Sequence, residues 1–259
     1  MKSKEVSNHI SAWLKQYAEK AGSKGFVIGI SGGIDSAVTS VLCAQTGLRV
    51  HALSLPIRQS PAEFSRGNEH IDWLRSKFSN VSSDLVDLTE VFDTMEKTLP
   101  ERARTFLSLA NTRARLRMTT LYAFAGAEGL LVAGTGNKIE DFGIGFFTKY
   151  GDGGVDLSPI ADLNKTEVYR LAEYLGVPSS IQQAKPTDGL FADGRSDEDQ
   201  IGATYPELEW AMEYEEAGAQ GQLTPRQQEV LAIYRQRHNN NRHKMEPIPV
   251  CVIPAALKN

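Results

Sequence analysis

Short apolar segments alternate with longer amphipathic segments through the first half of the chain. The apolar segments have the length of strands and lie at 25–30, 50–55, 83–88 and 130–134. The segments between them have helical periodicity and lie at 36–45, 61–79 and 101–128. Strands that alternate with helices are typical of a parallel sheet covered by helices on both faces. We therefore expect a Rossmann-like, three-layer α/β fold.

The second half of the chain is less regular. A helical pattern at 164–175 ends in Gly176-Val177-Pro178, and segment 184–203 has the composition of a long loop. Two more helical patterns follow at 204–217 and 224–238, and a proline-punctuated tail is expected to pack in extended form. Because the 259 residues contain no internal repeat, we expect one domain spanning residues 1–259.

Composition excludes several function classes. The chain is 41% hydrophobic and 23% charged, which is typical of a soluble globular protein. Its net charge of −4 favours neither a nucleic acid nor an anionic membrane as partner. Cys43 and Cys251 form no CxxC pair, which favours a reducing compartment over zinc or thiol chemistry. With no signal-like apolar segment, we expect a cytoplasmic protein.

The strongest local motif is Ser31-Gly32-Gly33-Ile34-Asp35-Ser36, which lies between the first strand and the first following helix. Helix N-termini carry N–H groups without acceptors, and glycines let the backbone approach an anion, so this turn is suited to phosphate. The lysine of a P-loop is missing, which suggests that a metal ion neutralises part of the phosphate charge, with Asp35 as a ligand. The alternative is an ordinary strand-to-helix turn capped by Ser31 or Ser36.

This hexapeptide resembles the signature of the N-type ATP pyrophosphatases, whose members cleave ATP between the α and β phosphates. The resemblance implies the adenine nucleotide alpha hydrolase-like form of the fold and an adenylation reaction. It also implies ATP as co-substrate and Mg²⁺ as cofactor. The motif narrows the type of reaction but does not identify the substrate.

Further segments resemble one branch of this superfamily, the NAD synthetases, in the order in which that family carries them. They are NTRARLRM at 111–118, GTGNKIE at 134–140, FFTKYGDGGVDL at 146–157, LNK at 163–165, KPT at 185–187 and SDED at 196–199. The resemblance implies that the chain amidates deamido-NAD with ammonia through an adenylated nicotinate, releasing AMP and pyrophosphate. His243-Lys244-Met245 resembles a His-Lys-Arg element of the family, but its third residue differs, and we assign it no role.

The resemblance also implies a set of site residues. Asp35, Lys165 and Glu140 are expected to be catalytic, and Asp35, Glu140 and Thr187 to bind the metal. The residues expected to bind ATP are Gly29, Ile30, Ser31, Gly32, Gly33, Ile34, Asp35, Ser36, Thr135, Lys165 and Thr187. Many relatives carry Arg-Leu-Pro at the end of the second strand, where this chain departs from the family, and we expect Arg58 and Gln59 to take over nucleotide contacts. The residues expected to bind deamido-NAD are Arg115, Lys149, Asp152 and Asp156, and the loop 188–203 is expected to close over the site.

Some of these residues have a simpler interpretation. Arg113 and Arg117 share a helix face opposite Arg115, and such a run can be a solvated basic face. The alternative for Glu140 is an ordinary acidic residue that stabilises a helix N-terminus. The alternative for the glycines at 151–154 is a structural turn without contact to a ligand. GTGNKI also begins like a dinucleotide-binding fingerprint, but the third glycine is absent, so a dehydrogenase is rejected.

Other activities remain open at this stage. One alternative is another amide-forming or thiolating member of the superfamily, and a second is a nucleotide sensor without turnover. Glutamine-hydrolysing relatives have an additional N-terminal domain, whereas the first strand here begins at about residue 25, so free ammonia is the expected donor. By resemblance to the family we expect a homodimer.

Overall fold

The computed structural model describes residues 1–186 and 196–258. Its sheet contains four parallel strands in the order β3-β2-β1-β4. The strands are β1 (Gly25–Gly29), β2 (Arg49–Ser54), β3 (Val81–Leu85) and β4 (Leu131–Val132). The predicted α/β fold with a parallel sheet is confirmed.

The helices connect and surround these strands. The first five are α1 (Ser3–Lys20), α2 (Ile34–Gln45), α3 (Pro61–Lys77), α4 (Thr89–Thr98) and α5 (Phe106–Glu128). Those after the sheet are α6 (Lys165–Leu175), α7 (Ser179–Gln182), α8 (Asp197–Ile201), α9 (Tyr205–Glu216) and α10 (Pro225–Met245). In the part of the chain that the structure describes, no helix is both long and apolar enough to cross a membrane.

Alternate residues of the central strand pack on opposite faces of the sheet. Phe26 and Ile28 join a cluster that includes buried residues of α1, α2 and α6. Val27 joins a second cluster with Ala125 of α5 and Phe92 of α4. Both faces of β1 are therefore covered, which explains its uninterrupted apolar sequence and gives three layers.

A third apolar cluster lies outside the sheet and joins α9 and α10 to a π-helix at Ile139–Ile144. Polar side chains of α10 strengthen this contact. His238 and Asn241 hydrogen-bond the carbonyl oxygens of Gly143 and Ile144 at 2.7 and 2.8 Å. The C-terminal helices are thereby fixed against the segment that follows β4.

Several local predictions differ from the structure. Helix α4 was not predicted, because it has only ten residues and Phe92 is the only one of them that is buried. Helix α10 continues through the polar run to Met245, since that run hydrogen-bonds to carbonyl groups instead of packing apolar groups. Part of the expected 184–203 loop is helix α8. The tail was expected to pack, but Val250 and Val252 are exposed.

Candidate active site

The turn after β1 lies at the carboxyl edge of the sheet, where ligands bind in folds of this type. Ser36 Oγ donates to the carbonyl oxygen of Gly33 at 3.0 Å and accepts from the N–H of Ser31 at 3.3 Å. Gly33 directly precedes α2, and no side chain caps this helix. The serines therefore shape the turn, while the first turn of α2 keeps N–H groups available to an anion.

Gly32 is required by the close approach of α3 to this turn. Its φ is +84°, and a Cβ atom there would lie 2.7 Å from the carbonyl oxygen of Glu63. Gln59 reaches the same turn, because its Nε2 donates to the carbonyl oxygen of Ser31 at 3.2 Å. Two of the predicted ATP-binding elements, the Ser31–Ser36 turn and Gln59, are thus adjacent.

Three residues that are far apart in the sequence meet beside this turn. Lys165 Nζ lies 2.5 Å from Asp35 Oδ2 and 3.0 Å from Glu140 Oε1. Asp35 comes from the first turn of α2, Glu140 from the segment after β4, and Lys165 from the first turn of α6. The structure brings together the three residues that we predicted to be catalytic.

Lys165 is buried, with 4% of its side chain exposed, and Asp35 and Glu140 are partly exposed at 17% and 15%. Burial alone would lower the pKa of the Lys165 ammonium, but the two carboxylates outweigh burial and raise it. Burial raises the pKa of the Glu140 carboxyl, and Lys165 opposes that effect. Lys165 is therefore a fixed positive charge, and Glu140 depends on a cation to remain ionised.

Sequence analysis missed Asn137, which holds this cluster together. Asn137 is fully buried, its Nδ2 donates to Asp35 Oδ1 at 3.2 Å, and its Oδ1 accepts from the Glu140 N–H at 3.1 Å. The amide thus fixes the Asp35 carboxylate relative to the backbone of Glu140. Asn137 lies in the segment 134–140 two residues before a helical turn, where nothing in the sequence distinguishes it from an ordinary loop residue.

Tyr205 is a second residue that sequence analysis missed. Its hydroxyl donates to Glu140 Oε1 at 2.5 Å, and Lys165 Nζ lies 5.0 Å from the centre of its ring. The 65 residues between Tyr205 and Glu140 leave no local pattern that could predict this contact.

Asp35 and Glu140 have the donor chemistry that Mg²⁺ prefers, since each offers carboxylate oxygens to one point. No group of three or more metal-binding side chains exists among residues 1–186 and 196–258. Two carboxylates still suffice for a magnesium ion that takes its other ligands from nucleotide phosphates and water. The described residues therefore fit a Mg²⁺–nucleotide complex better than a metal held by protein alone.

Basic residues of α5 lie on two different faces. Arg117 is largely buried, its Nε donates to the carbonyl oxygen of Leu55 at 2.9 Å, and burial lowers the pKa of its guanidinium to about 10. Within the described residues, no carboxylate lies at ion-pair distance from Arg117. Arg115 is exposed on the other face, and its Nε donates to the carbonyl oxygen of Lys149 at 3.2 Å.

The residues predicted to bind deamido-NAD lie along α5 and the glycine-rich segment 148–156. Lys149 Nζ donates to the carbonyl oxygen of His243 at 2.8 Å, and Asp152 Oδ1 accepts from the Thr148 N–H at 3.0 Å. Asp156 accepts from the Val132 N–H at 2.8 Å, so it also has a structural role beside β4.

A cavity of about 140 Å³ opens beside this segment and is lined by Gly136, Asp141, Asp152, Phe147 and Lys244, among others. Protein around the cavity keeps water from both aspartates and raises the pKa of each, that of Asp141 to about 8. The cavity therefore holds two weakly acidic carboxyl groups, one of which, that of Asp141, belongs to the residue that follows Glu140.

Two predicted nucleotide-binding residues, Arg58 and Thr135, form no hydrogen bond or ion pair with Asp35, Glu140 or Lys165. Arg58 pairs with Asp93 and Glu96 of α4 at 2.6 Å each, and lies over the Phe92 ring. Thr135 follows β4 on the same edge of the sheet as the Ser31–Ser36 turn. Thr187 and most of the 188–203 loop lie outside the described residues.

Comparison with known proteins agrees with the geometry. A family model described as NAD synthase matches residues 6–248. The chain belongs to the NAD synthase family. A relative of this chain, an NH(3)-dependent NAD(+) synthetase of Mycoplasma genitalium, is 40% identical over 80% of each chain. The family resemblance inferred from the sequence motifs is confirmed.

Two solved structures resemble this chain along nearly its whole length. An NMN synthetase from Francisella tularensis has a TM-score of 0.84 and 31% identity, covering 98% of this chain and 99% of that one. An NH3-dependent NAD synthetase from Campylobacter jejuni has a TM-score of 0.80 and 26% identity, covering 97% and 100%. The similarity of this chain to each of the two structures therefore extends beyond the sheet to the rest of the fold.

Proposed function

We propose that this protein amidates the nicotinate carboxylate of deamido-NAD with ammonia, consuming ATP and releasing NAD, AMP and pyrophosphate. The observation that carries the proposal is the buried Asp35–Lys165–Glu140 cluster beside the Ser31–Ser36 turn. It combines a fixed cation, two metal-directed carboxylates and an anion-binding helix N-terminus. The name of the Mycoplasma genitalium relative supports the same reaction.

The chemistry requires activation of the carboxylate. A carboxylate oxygen of the substrate attacks the α-phosphorus of ATP, and the bond to the bridging oxygen of the β-phosphate breaks. Ammonia then attacks the acyl carbon, loses a proton, and the C–O bond to AMP breaks. No described residue is needed as nucleophile, so the protein contributes by positioning and by electrostatic stabilisation.

The residues of the cluster have different parts in this proposal. The turn from Gly29 to Ser36 holds the phosphates, and Lys165 stabilises the charge that develops on pyrophosphate as it departs. Asp35 and Glu140 would hold Mg²⁺, with Thr187 as a third ligand, and the bound ion would supply further charge neutralisation to the pyrophosphate. Gln59, Thr135 and Arg58 complete the proposed ATP-binding set.

The acceptor is proposed to lie along α5 and the segment 148–156. Arg115 and Lys149 carry positive charge there, and the hydrogen bond from Arg115 Nε to the backbone carbonyl of Lys149 at 3.2 Å holds the two residues side by side, which supports a common ligand. Asp152 and Asp156 complete the proposed set. We further propose one domain over residues 1–259, a homodimer and a cytoplasmic enzyme.

A mononucleotide is the second candidate acceptor. The similarity to an NMN synthetase, at 31% identity and a TM-score of 0.84, favours nicotinate mononucleotide in place of deamido-NAD. Both acceptors carry the same nicotinate carboxylate, so the cluster at Lys165 would serve either one. Which of the two acceptors the enzyme prefers depends on its contacts to the adenosine half, which deamido-NAD has and the mononucleotide lacks.

Release of pyrophosphate tests the proposal with ATP, magnesium and ammonium present. The acceptors are deamido-NAD, nicotinate mononucleotide, XMP and none, and amide formation is followed in parallel. NAD formation with deamido-NAD is the expected result. A preference for the mononucleotide would establish the second candidate, whereas release with XMP, or ATP binding without turnover, would refute both.

Variants test the proposed metal ligands in the same assay. Asp35→Asn and Glu140→Gln are expected to abolish pyrophosphate release, because each removes a negative charge from the metal site. Glu216→Gln, an exposed surface change, is the control. Near-normal release by either site variant would overturn the metal assignment.

A further inference from the structure

Tyr205 is the first residue of α9 and is buried, with 3% of its surface exposed. Its Oη donates to Glu140 Oε1 at 2.5 Å and lies 3.3 Å from Asp197 Oδ2. A phenol carries a single hydrogen, so the shorter contact identifies Glu140 as its acceptor. The hydroxyl thus belongs to the cluster that the proposed reaction uses.

Packing fixes the position of this phenol. The ring belongs to the apolar cluster that includes Ile139, Ile201 and Leu208. The backbone N–H of Tyr205 donates to Glu198 Oε1 at 2.9 Å, which fixes the start of α9. Since both the ring and the backbone are held, the hydroxyl can impose a direction on its acceptor.

The two oxygens of Glu140 have different surroundings. Oε1 accepts from Lys165 Nζ at 3.0 Å and from Tyr205 Oη at 2.5 Å. Among residues 1–186 and 196–258, none donates a hydrogen bond to Oε2. The carboxylate is therefore anchored through one oxygen and open at the other.

We propose that Tyr205 is a positioning residue that anchors Glu140 through Oε1, so that Oε2 remains available to the Mg²⁺ ion of the nucleotide complex. This inference rests on the metal role proposed above for Glu140. Residues that hydrogen-bond a metal ligand fix its orientation, and their loss typically weakens metal binding about 10- to 100-fold. Tyr205 would act in this way without touching the metal or the substrate.

Binding of Mn²⁺ together with α,β-methylene-ATP provides a test that needs no turnover. Electron paramagnetic resonance measures free Mn²⁺, and Tyr205→Phe is expected to bind the ion about 10- to 100-fold more weakly than the wild type. In the steady state, the magnesium concentration for half-maximal rate should rise by a similar factor, while the KM for the acceptor remains unchanged.

Tyr234→Phe is a matched control, because Tyr234 is also buried in the same apolar cluster. Its hydroxyl has no contact with Glu140, so this variant should bind Mn²⁺ as the wild type does. Tyr205→Met is a second variant that lacks the hydroxyl. Weaker Mn²⁺ binding by both Tyr205 variants supports the proposal, and wild-type binding by either folded variant overturns it.

A double-mutant cycle separates this role from general destabilisation. In a Glu140→Gln background, Tyr205→Phe should cause no further loss of Mn²⁺ binding, because the anchored ligand is already absent. Additive losses would overturn the proposal. A wild type that binds Mn²⁺ with the nucleotide analogue but forms no amide would refute the proposed function and leave this test intact.

Discussion

Replacing Lys165 with methionine removes the only positive charge that contacts both Asp35 and Glu140 in the described residues. Methionine matches the length and apolar stem of lysine, so the main change is the loss of the ammonium group. Two carboxylates would then face each other in a site where the lysine side chain is 4% exposed. Breaking a buried ion pair in this way costs about 3–5 kcal/mol.

The loss should depend on pH in a defined direction. The pKa of Lys165 is raised above its ordinary value of 10.5, so in the wild type its contribution is complete below that pH and is lost only at higher pH. In the variant, burial raises the pKa of Glu140 above its ordinary value of 4.5 without the opposing lysine. Protonation on acidification therefore restores part of the stability as the pH falls toward 5.

Thermal unfolding between pH 5.5 and 8.5 measures both effects. For a chain of this size, the expected loss lowers Tm by roughly 6–20 °C at pH 8, and by less at pH 5.5. Added Mg²⁺ should reduce the difference in Tm between the variant and the wild type, because the ion replaces the missing positive charge. Lys138→Met is the control, since its 3.5 Å pair with the exposed Glu216 contributes at most about 1 kcal/mol. A Tm within about 2 °C of wild type at pH 8 would refute the buried ion network.

Three further predictions concern other parts of the molecule. Arg117→Met should raise the KM for a nucleotide substrate about tenfold or more, because a buried guanidinium without a carboxylate partner is suited to bind phosphate. An unchanged KM in steady-state kinetics would contradict this role. Gly136→Ala should destabilise the protein by about 1–3 kcal/mol in chemical denaturation, since its new methyl group would overlap the Asp141 carboxylate; full retention of stability would contradict the packing described. In the native protein, one thiol per chain, that of the exposed Cys251, should react with a disulfide reagent, and the buried Cys43 should react only on unfolding. Rapid labelling of both cysteines would contradict the fold.

The sheet could be predicted because its information is local. The apolar segment that begins at Gly25 has no polar alternation, which in a parallel sheet requires cover on both faces, and the structure shows that cover. The Ser31–Ser36 turn could likewise be placed at the strand end, where bound anions meet a helix N-terminus. Asp35 and Glu140 follow neighbouring strands of the sheet, so their convergence was predictable from topology.

Contacts made by the C-terminal third could not be predicted in this way. Tyr205 reaches Glu140 only because α9 packs on the π-helix, and no spacing in the sequence encodes that arrangement. Helix α10 was placed seven residues too short, since periodicity measures apolar packing whereas Asn241 binds a carbonyl group. Tertiary hydrogen bonds, in contrast to apolar helix faces, produce no periodic pattern in the sequence.

Transfer of oxygen-18 from the acceptor to AMP tests the central claim most directly. Deamido-NAD labelled at both carboxylate oxygens is incubated with ATP, magnesium and ammonium, and the masses of the products are measured by mass spectrometry. Attack by the carboxylate on the α-phosphorus predicts one labelled oxygen in AMP and one in the amide of NAD. Label in inorganic phosphate with formation of ADP, or AMP without label, would contradict adenylation at the Lys165 site.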